Sequence, residues 1–329
     1  MSQAARPRLV LHIGTHKTGT SSLQHGLAAA QQRLLQQHGL FYPDTRRQPM
    51  PALPKHCSVF RAAISEDPQV QDRERRTLMQ EWQAAAAQGA CTMLVSEEGL
   101  SEPVPRIPAF FAPLAATFDI EVLCYLRRQD LFAESLFNQF TRETVRREAR
   151  PVLGFVRAEA TRARLDYHAM LSRWTALPAR VQVLDFDSAA VREMGLQASF
   201  AQCLGLPALD LPEEQANVSP DMRLALLLNR MNRMQLDYAL PPLMRAAEAL
   251  ARDGAPVKKQ LLGRQERQQL LADFADGNRR LAADFGVQFS DTLPAGEGDD
   301  ATEELEVPYL LRLLSQLSQR AARKPGGAA

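Results

Sequence analysis

The stretch His12–Ser22, HIGTHKTGTSS, decides how the rest of the chain is read. Gly14 and Gly19 have the G-x-x-x-x-G spacing of a phosphate-binding loop. Thr20, however, stands where the Walker A pattern has its lysine, and the loop's lysine is Lys17, three residues earlier. The residues before the loop, RLVLHIG from Arg8, are continuously apolar up to a glycine and predict a buried strand. After it, Ser21 and Ser22 can open a helix whose apolar face is Leu23, Leu27, Ala30 and Leu34, ended by Gly39. Strand, glycine loop and helix in that order are the context a phosphate cradle requires.

The alternation continues outward from the loop. A polar helix is expected over about 71–88, then a strand at CTMLV (Cys91–Val95) followed by SEEGLS. A short helix after Pro108 leads to the strand DIEVLCYL (Asp119–Leu126), which runs into Arg127 and Arg128. Phe132, Leu136 and Phe140 recur every fourth residue in a helix, RVQVLDF (180–186) is a fourth strand, and Gly205 closes the next helix. Strands alternating with helices predict an α/β fold with a parallel sheet flanked by helices on both faces. Ligands bind at the carboxyl ends of such strands, so the loop, Ser96–Glu98 and Arg127–Arg128 are expected at one crevice.

From about residue 217 the chain reads as mostly helical, over 220–235, 241–252 and 259–285. PAGEGDDATEELE (294–306) reads as an acidic exposed loop. An amphipathic helix is expected after Pro308, with Leu310, Leu313, Leu314 and Leu317 on one face. The organisation expected is a single domain over 1–329: an α/β core at about 9–210, a helical part at about 217–290, and the acidic loop with its tail helix at about 294–329.

The chemistry of the loop follows from its backbone. A helix N-terminus offers unpaired N–H groups and the positive end of the helix dipole. Gly19, Thr20, Ser21 and Ser22 can therefore hold a phosphate, with Thr15, His16, Lys17 and Thr18 wrapping it. Placed mid-loop, Lys17 would face whatever that phosphate carries, which suits a 5′-phosphate bearing a transferable group.

HIGTHKTGTSSLQ (12–24) resembles the 5′-phosphosulfate loop of bacterial sulfotransferases. YLRRQDLFAES (125–135) supplies Arg127 and Ser135 at the spacing of that family's 3′-phosphate site, although Arg127-Arg128-Gln129 lacks the family's frequent R-x-P. MLVSEEGLS (93–101) resembles the strand-and-glutamate segment between the two motifs. The resemblance implies a P-loop NTPase-like sulfotransferase fold with a mostly helical C-terminal part. It also implies 3′-phosphoadenosine 5′-phosphosulfate as co-substrate with no metal, and a hydroxyl or amine acceptor such as a cell-envelope carbohydrate. Lys17 then stabilises the leaving oxygen, and Arg127 with Ser135 reads the 3′-phosphate.

The base is expected at Glu98, with Glu97 and His56 as the other candidates; a helix-capping acid and a satisfied structural histidine are the plain alternatives. For Arg128 the expected role is a surface ion pair with Asp130 or Glu134, and loop bracing accounts for His12 and His16. A nucleotide-dependent kinase and a non-catalytic nucleotide-binding module are the rival functions. Against the kinase, the chain lacks the terminal Walker lysine and a convincing strand-end aspartate for Mg²⁺.

Bulk properties narrow the partners. Charged residues are 23% with a net charge of +1, so no overall field points to nucleic acid or membrane. Seven arginines against three glutamates between 142 and 164 read as a solvated face, or as a path for an anionic acceptor; the lack of interleaved aromatics argues against single-stranded nucleic acid. Cys57, Cys91, Cys124 and Cys203 show no C-x-x-C pair, and Cys91 and Cys124 read as buried small hydrophobes. The apolar run Leu9–Ile13 is too short for a signal-peptide core and no stretch is long enough to span a bilayer, so a cytoplasmic protein is expected. The tail leucines suit packing on their own domain or on a second copy of the chain, with membrane-surface contact the lesser reading.

Overall fold

The computed structural model describes residues 6–46, 54–212, 221–298, 301 and 303–322. In chain order the first elements are β1 (Arg8–His12), α1 (Thr20–His38), β2 (Leu40–Phe41), α2 (Cys57–Ile64), α3 (Pro68–Ala86), β3 (Thr92–Ser96), α4 (Ile107–Phe111), β4 (Asp119–Leu126) and α5 (Gln129–Arg142). There follow α6 (Val152–Arg157), α7 (Glu159–Leu165), α8 (Tyr167–Ser172), β5 (Ala179–Asp185), α9 (Ala189–Met194) and α10 (Leu196–Leu204). The remainder is helical: α11 (Met222–Arg233), α12 (Leu240–Arg252), α13 (Arg264–Asp273), α14 (Ala275–Phe285) and α15 (Val307–Ala322).

The five strands form one parallel sheet in the order β2-β3-β1-β4-β5. The strand runs are apolar at successive positions because a parallel sheet is covered on both faces. On one face Val10, Leu94, Leu123 and Tyr125 pack with Leu23 and Leu27 of α1 and Phe200 and Leu204 of α10. Leu9, Leu11, Met93, Val95 and Val122, which point the other way, are fully buried, so that face is covered as well. The α/β class and the flanking helices agree with the sequence reading.

Two compact units divide the chain: Met1–Arg128 with Ala163–Gln215 and Phe274–Ser290, and Gln129–Arg162 with Ala216–Asp273 and Asp291–Ala329. The stretch read as one helical part thus splits, 274–290 going with the sheet. The second unit has its own core, where Leu224 and Leu228 of α11, Ala246 and Leu250 of α12, and Tyr309 and Leu313 of α15 meet. Within it Arg267 of α13 is fully buried and binds Asp130 at 2.5 Å and Glu134 at 2.6 Å, both on α5. The guanidinium Nε–H donates to the Leu262 carbonyl at 3.0 Å.

Several expectations change. The strand β2 is two residues long and has no pattern of its own; it exists by pairing with β3. The helix expected over 259–285 begins at Arg264 and breaks at Phe274, whose backbone (φ −106°, ψ 7°) leaves the helical region without a proline or glycine at that position. On the tail helix Leu313 is buried and Leu310 and Leu317 pack beside it, but Leu314 is 58% exposed; Tyr309 takes the inner place instead. Cys124 is buried as expected, whereas Cys91, at the strand's start, is exposed. The arginines of 142–164 are largely tied within the fold: Arg147 to Asn232 and the Leu236 carbonyl, Arg150 to Glu148, Arg162 to Asp273 and Arg164 to Glu102. Of the expected helix at 220–235, residue 220 lies outside the described residues, as do 299, 300 and 302 of the acidic loop and 323–329 of the tail. No described helix is long and apolar enough to cross a membrane.

Candidate active site

Register places the loop. His12 at the end of β1 pairs with Ser96 of β3 on one side and Leu123 of β4 on the other, so the three strand ends lie side by side. Past the ladder, the Ile13 N–H donates to the Leu123 carbonyl at 2.9 Å and the Thr15 N–H to the Tyr125 carbonyl at 3.2 Å. The Thr15 hydroxyl donates to that same carbonyl at 3.1 Å, and the Thr18 hydroxyl to the Thr15 carbonyl at 2.7 Å. These bonds bury Thr15 and Thr18 and leave Lys17 exposed at the tip.

Lys17 has φ 68°, the left-handed region, which a residue with a Cβ adopts only when its surroundings fix it there. Gly19, φ 74°, caps α1, and no side chain caps that helix's first turn. Thr20 is buried, Ser21 exposed and Ser22 half-buried, so hydroxyls border the turn whose N–H groups lack intrahelical partners. Glycine is needed twice. A Cβ at Gly19 would sit 2.3 Å from Cδ2 of Leu196, and one at Gly14 would sit 2.9 Å from Nε2 of His12. The loop is therefore pressed onto the molecule at both glycines while Lys17 at its tip is exposed.

Beside the loop, β3 ends in two carboxylates of different character. Glu97 is buried and accepts from the Gly99 N–H at 2.9 Å, capping the short 3₁₀ turn Glu98–Ser101. The ammonium of Lys55 lies 3.2 Å from Glu97 Oε1 and 2.7 Å from Glu98 Oε1. Glu98 also accepts from Gln24 Nε2 at 3.3 Å, and its Oε1 lies 3.9 Å from His16 Nδ1 in the loop. On its other side His16 Nε2 lies 3.7 Å from Glu102 Oε1, and Glu102 binds Arg164 at 2.6 Å. Burial pushes Glu98 up, but Lys55 and His16 more than reverse this and hold it below the usual carboxylate range. Burial and the charge of Glu98 raise Glu97, against the pull of Lys55. Burial works against ionisation of Glu102 too, yet bonds from His16 and Arg164 bring it down to about 2.

The histidines divide by role. His56 is buried, with its Nδ1 accepting from the Ser96 N–H at 3.0 Å and its Nε2 donating to the Pro43 carbonyl at 3.2 Å. Both nitrogens are thereby engaged by main chain. Expected as a third candidate base, His56 instead holds the end of β3, and its neighbour Lys55 is the residue that reaches the carboxylates. His12 is buried, with Nδ1 2.9 Å from the Ser96 hydroxyl and its ring centroid 4.9 Å from that of Phe200 in an edge-type contact; burial lowers it to about 4. Among the described residues its Nε2 has no hydrogen-bond partner.

At the end of β4, Arg127 forms a two-point pair with Asp187, at 2.7 and 3.2 Å, and its carbonyl accepts from the Tyr167 hydroxyl at 2.7 Å. Asp130 and Glu134 both bind Arg267. Ser135 lies half-buried on α5 in the other compact unit, so its assignment rests on sequence spacing alone.

The first unit thus gathers Thr15 to Ser22, Glu97, Glu98 and Arg127 at adjacent strand ends. Lys55, Gln24, Glu102, Arg164 and Asp187 were not foreseen. Each is a lone polar residue whose contact is made across 60 or more residues of sequence, except for Lys55, where the bond to Glu98 spans 43. Among the described residues no group of His, Cys, Asp and Glu is arranged to hold a metal ion.

No protein-family model and no curated protein matches the chain. Among solved structures, a sulfotransferase from Alicyclobacillus acidocaldarius is similar at 18% identity and a TM-score of 0.41, over 71% of this chain and 98% of its own. A likeness that distant leaves the reading of the site to the residues themselves.

Proposed function

We propose that the chain is a sulfotransferase that moves a sulfonate group from 3′-phosphoadenosine 5′-phosphosulfate to a hydroxyl or amine of an acceptor, with a carbohydrate as the first class to test. One observation carries the reading. A lysine held in the left-handed region stands at the tip of a loop that enters an uncapped helix, and the residue before it, His16, lies beside the carboxylate of Glu98. The N–H groups opening α1 suit a 5′-phosphate, and the tight approach at Gly14 and Gly19 leaves backbone, not side chains, to line the cradle. Lys17 neutralises charge growing on the bridging oxygen as the S–O bond to the donor breaks. Glu98 accepts the acceptor's proton as the new bond to sulfur forms, and adenosine 3′,5′-bisphosphate leaves. Its depressed pKa keeps it ionised at neutral pH; the loss in basicity is offset by the acidity the acceptor oxygen gains during transfer. Arg127 is assigned to the 3′-phosphate, sharing its guanidinium with Asp187.

Calorimetry tests this directly. Adenosine 3′,5′-bisphosphate is expected to bind at least tenfold more tightly than adenosine 5′-monophosphate, and Arg127→Ala to remove the difference. Equal affinities in the unmodified protein would refute the donor assignment. Turnover that requires ATP and Mg²⁺ would make the protein a kinase instead.

A further inference from the structure

The ammonium of Lys55 touches both carboxylates at the end of β3, and no role at the site has been given to it so far. From this geometry we propose that Lys55 is a positioning residue of the site: it clamps Glu97 and Glu98 together and holds Glu98 as an aimed anion beside the loop. The inference rests on the reading of Glu98 as the base.

Two adjacent buried carboxylates repel, and without a cation one of them takes a proton. The surroundings show how much depends on Lys55. On the turn itself the facing group is Glu97, only 2% exposed, whose Oε2 has no hydrogen-bond partner among the described residues. At the start of α2 the neighbour is Cys57, whose thiol is pushed up to about 12 by burial and the charge of Glu97, and so stays neutral. The loop contributes His16 at 3.9 Å, but that imidazole is shared with Glu102, which in turn is neutralised by Arg164. Under the strand, His12 is too deeply buried to carry a charge at neutral pH, and Tyr42 beside the pair is pushed well up by burial and by both carboxylates. Lys55 is therefore the fixed cation in direct contact with both acids. It lies 15% exposed, and its own pKa is raised because the two carboxylates outweigh its burial. Geometry matters as much as charge. With Gln24 on Oε2 and Lys55 on Oε1, Glu98 is held at both oxygens and cannot turn away from the loop.

The expected signature is in pH, not in a simple loss. Removing the ammonium by Lys55→Met lets a proton onto the pair, so Glu98 is protonated over a range where it was ionised. The acid limb of kcat should move upward by about one to two pH units. Above the new limb the rate should recover, because the freed carboxylate is the stronger base. Lys55→Arg, which keeps a cation, should place the limb back towards its original position. A Lys55→Met enzyme whose rate falls by one factor at every pH, with the limb unmoved, would show a merely structural lysine and overturn the proposal.

A second measurement does not depend on transfer activity. The ¹³C carboxyl resonance of Glu98, assigned by its loss in Glu98→Gln, should titrate at higher pH in Lys55→Met than in the unmodified protein; an unchanged midpoint overturns the clamp. If the midpoint moves while the unmodified protein transfers no sulfonate, the clamp stands and the proposed reaction falls.

Discussion

Two clusters in this chain pair carboxylates with a single cation, and they come out differently. In the second unit Arg267 meets Asp130 and Glu134 with the arginine and aspartate side chains at 0% exposure and the glutamate at 4%. Every group there is used: the guanidinium also holds the Leu262 carbonyl, and Glu134 Oε1 accepts from the Leu261 and Leu262 N–H groups at 2.6 Å each. At the strand ends Lys55 meets Glu97 and Glu98, but Glu97 Oε2 has no hydrogen-bond partner among the described residues, and Glu98, 13% exposed, lies beside His16 of the loop. The closed cluster is a tie within the fold. Unspent acceptor capacity next to an open loop, more than charge pairing itself, is what sets the proposed site apart from a structural cluster.

The largest effect should separate the clusters by stability. Arg267→Met strands two buried carboxylates and is expected to cost about 3–5 kcal/mol in chemical denaturation, while Lys55→Met at its half-open site costs clearly less. Equal losses would erase the distinction. The next effect is kinetic. Glu98→Gln should lower turnover about 10²–10⁴-fold with adenosine 3′,5′-bisphosphate binding unchanged. Glu97→Gln is the control, since its carboxylate is committed to capping the turn. A collapse in Glu97→Gln with Glu98→Gln near full rate would move the base by one residue.

The pH dependence of stability sharpens the contrast. His12 titrates at about 4 in the fold and about 6.5 in an unfolded chain. The unfolded chain binds the proton first, so stability falls as pH drops from about 6.5 to about 4, by roughly 3 kcal/mol from this residue. Urea midpoints for the unmodified protein and His12→Gln should diverge across that window; parallel curves would show that the histidine is not held neutral. The smallest effect concerns the loop. Gly19→Ala places a methyl 2.3 Å from Leu196 Cδ2 at φ 74°, and a loss of about 2 kcal/mol is expected. Adding Leu196→Ala relieves the contact and should recover about half, leaving the backbone term of about 1 kcal/mol.

Much of the fold could be read from local pattern. The runs Leu9–Leu11 of β1, Met93–Val95 of β3 and Val122–Leu126 of β4 are continuously apolar, and Gly39, Gly205 and Gly286 end helices where the periodicity stops. The turn from β1 into α1 was legible for the same reason: its shape is set by backbone, which glycine spacing reports. The partners of Glu98 were not. Lys55 and Gln24 carry no periodicity, and only the parallel register brings them to the end of β3. The two-residue β2 and the break at Phe274 also escaped, because tertiary contacts create them without a local signal.

The position of β1 between β3 and β4 has a consequence for the birth of the molecule. The crevice depends on pairings such as His12 with Ser96, 84 residues apart, and Thr15 with Tyr125, 110 apart. Each must close a long stretch of chain before it returns any stabilisation, which slows assembly. A nascent chain that has not yet released Leu126 from the ribosome therefore has the loop's sequence and β3 but not the complete β4 wall. Nucleotide binding by this surface should appear late in synthesis and in a single step, as β4 docks against β1.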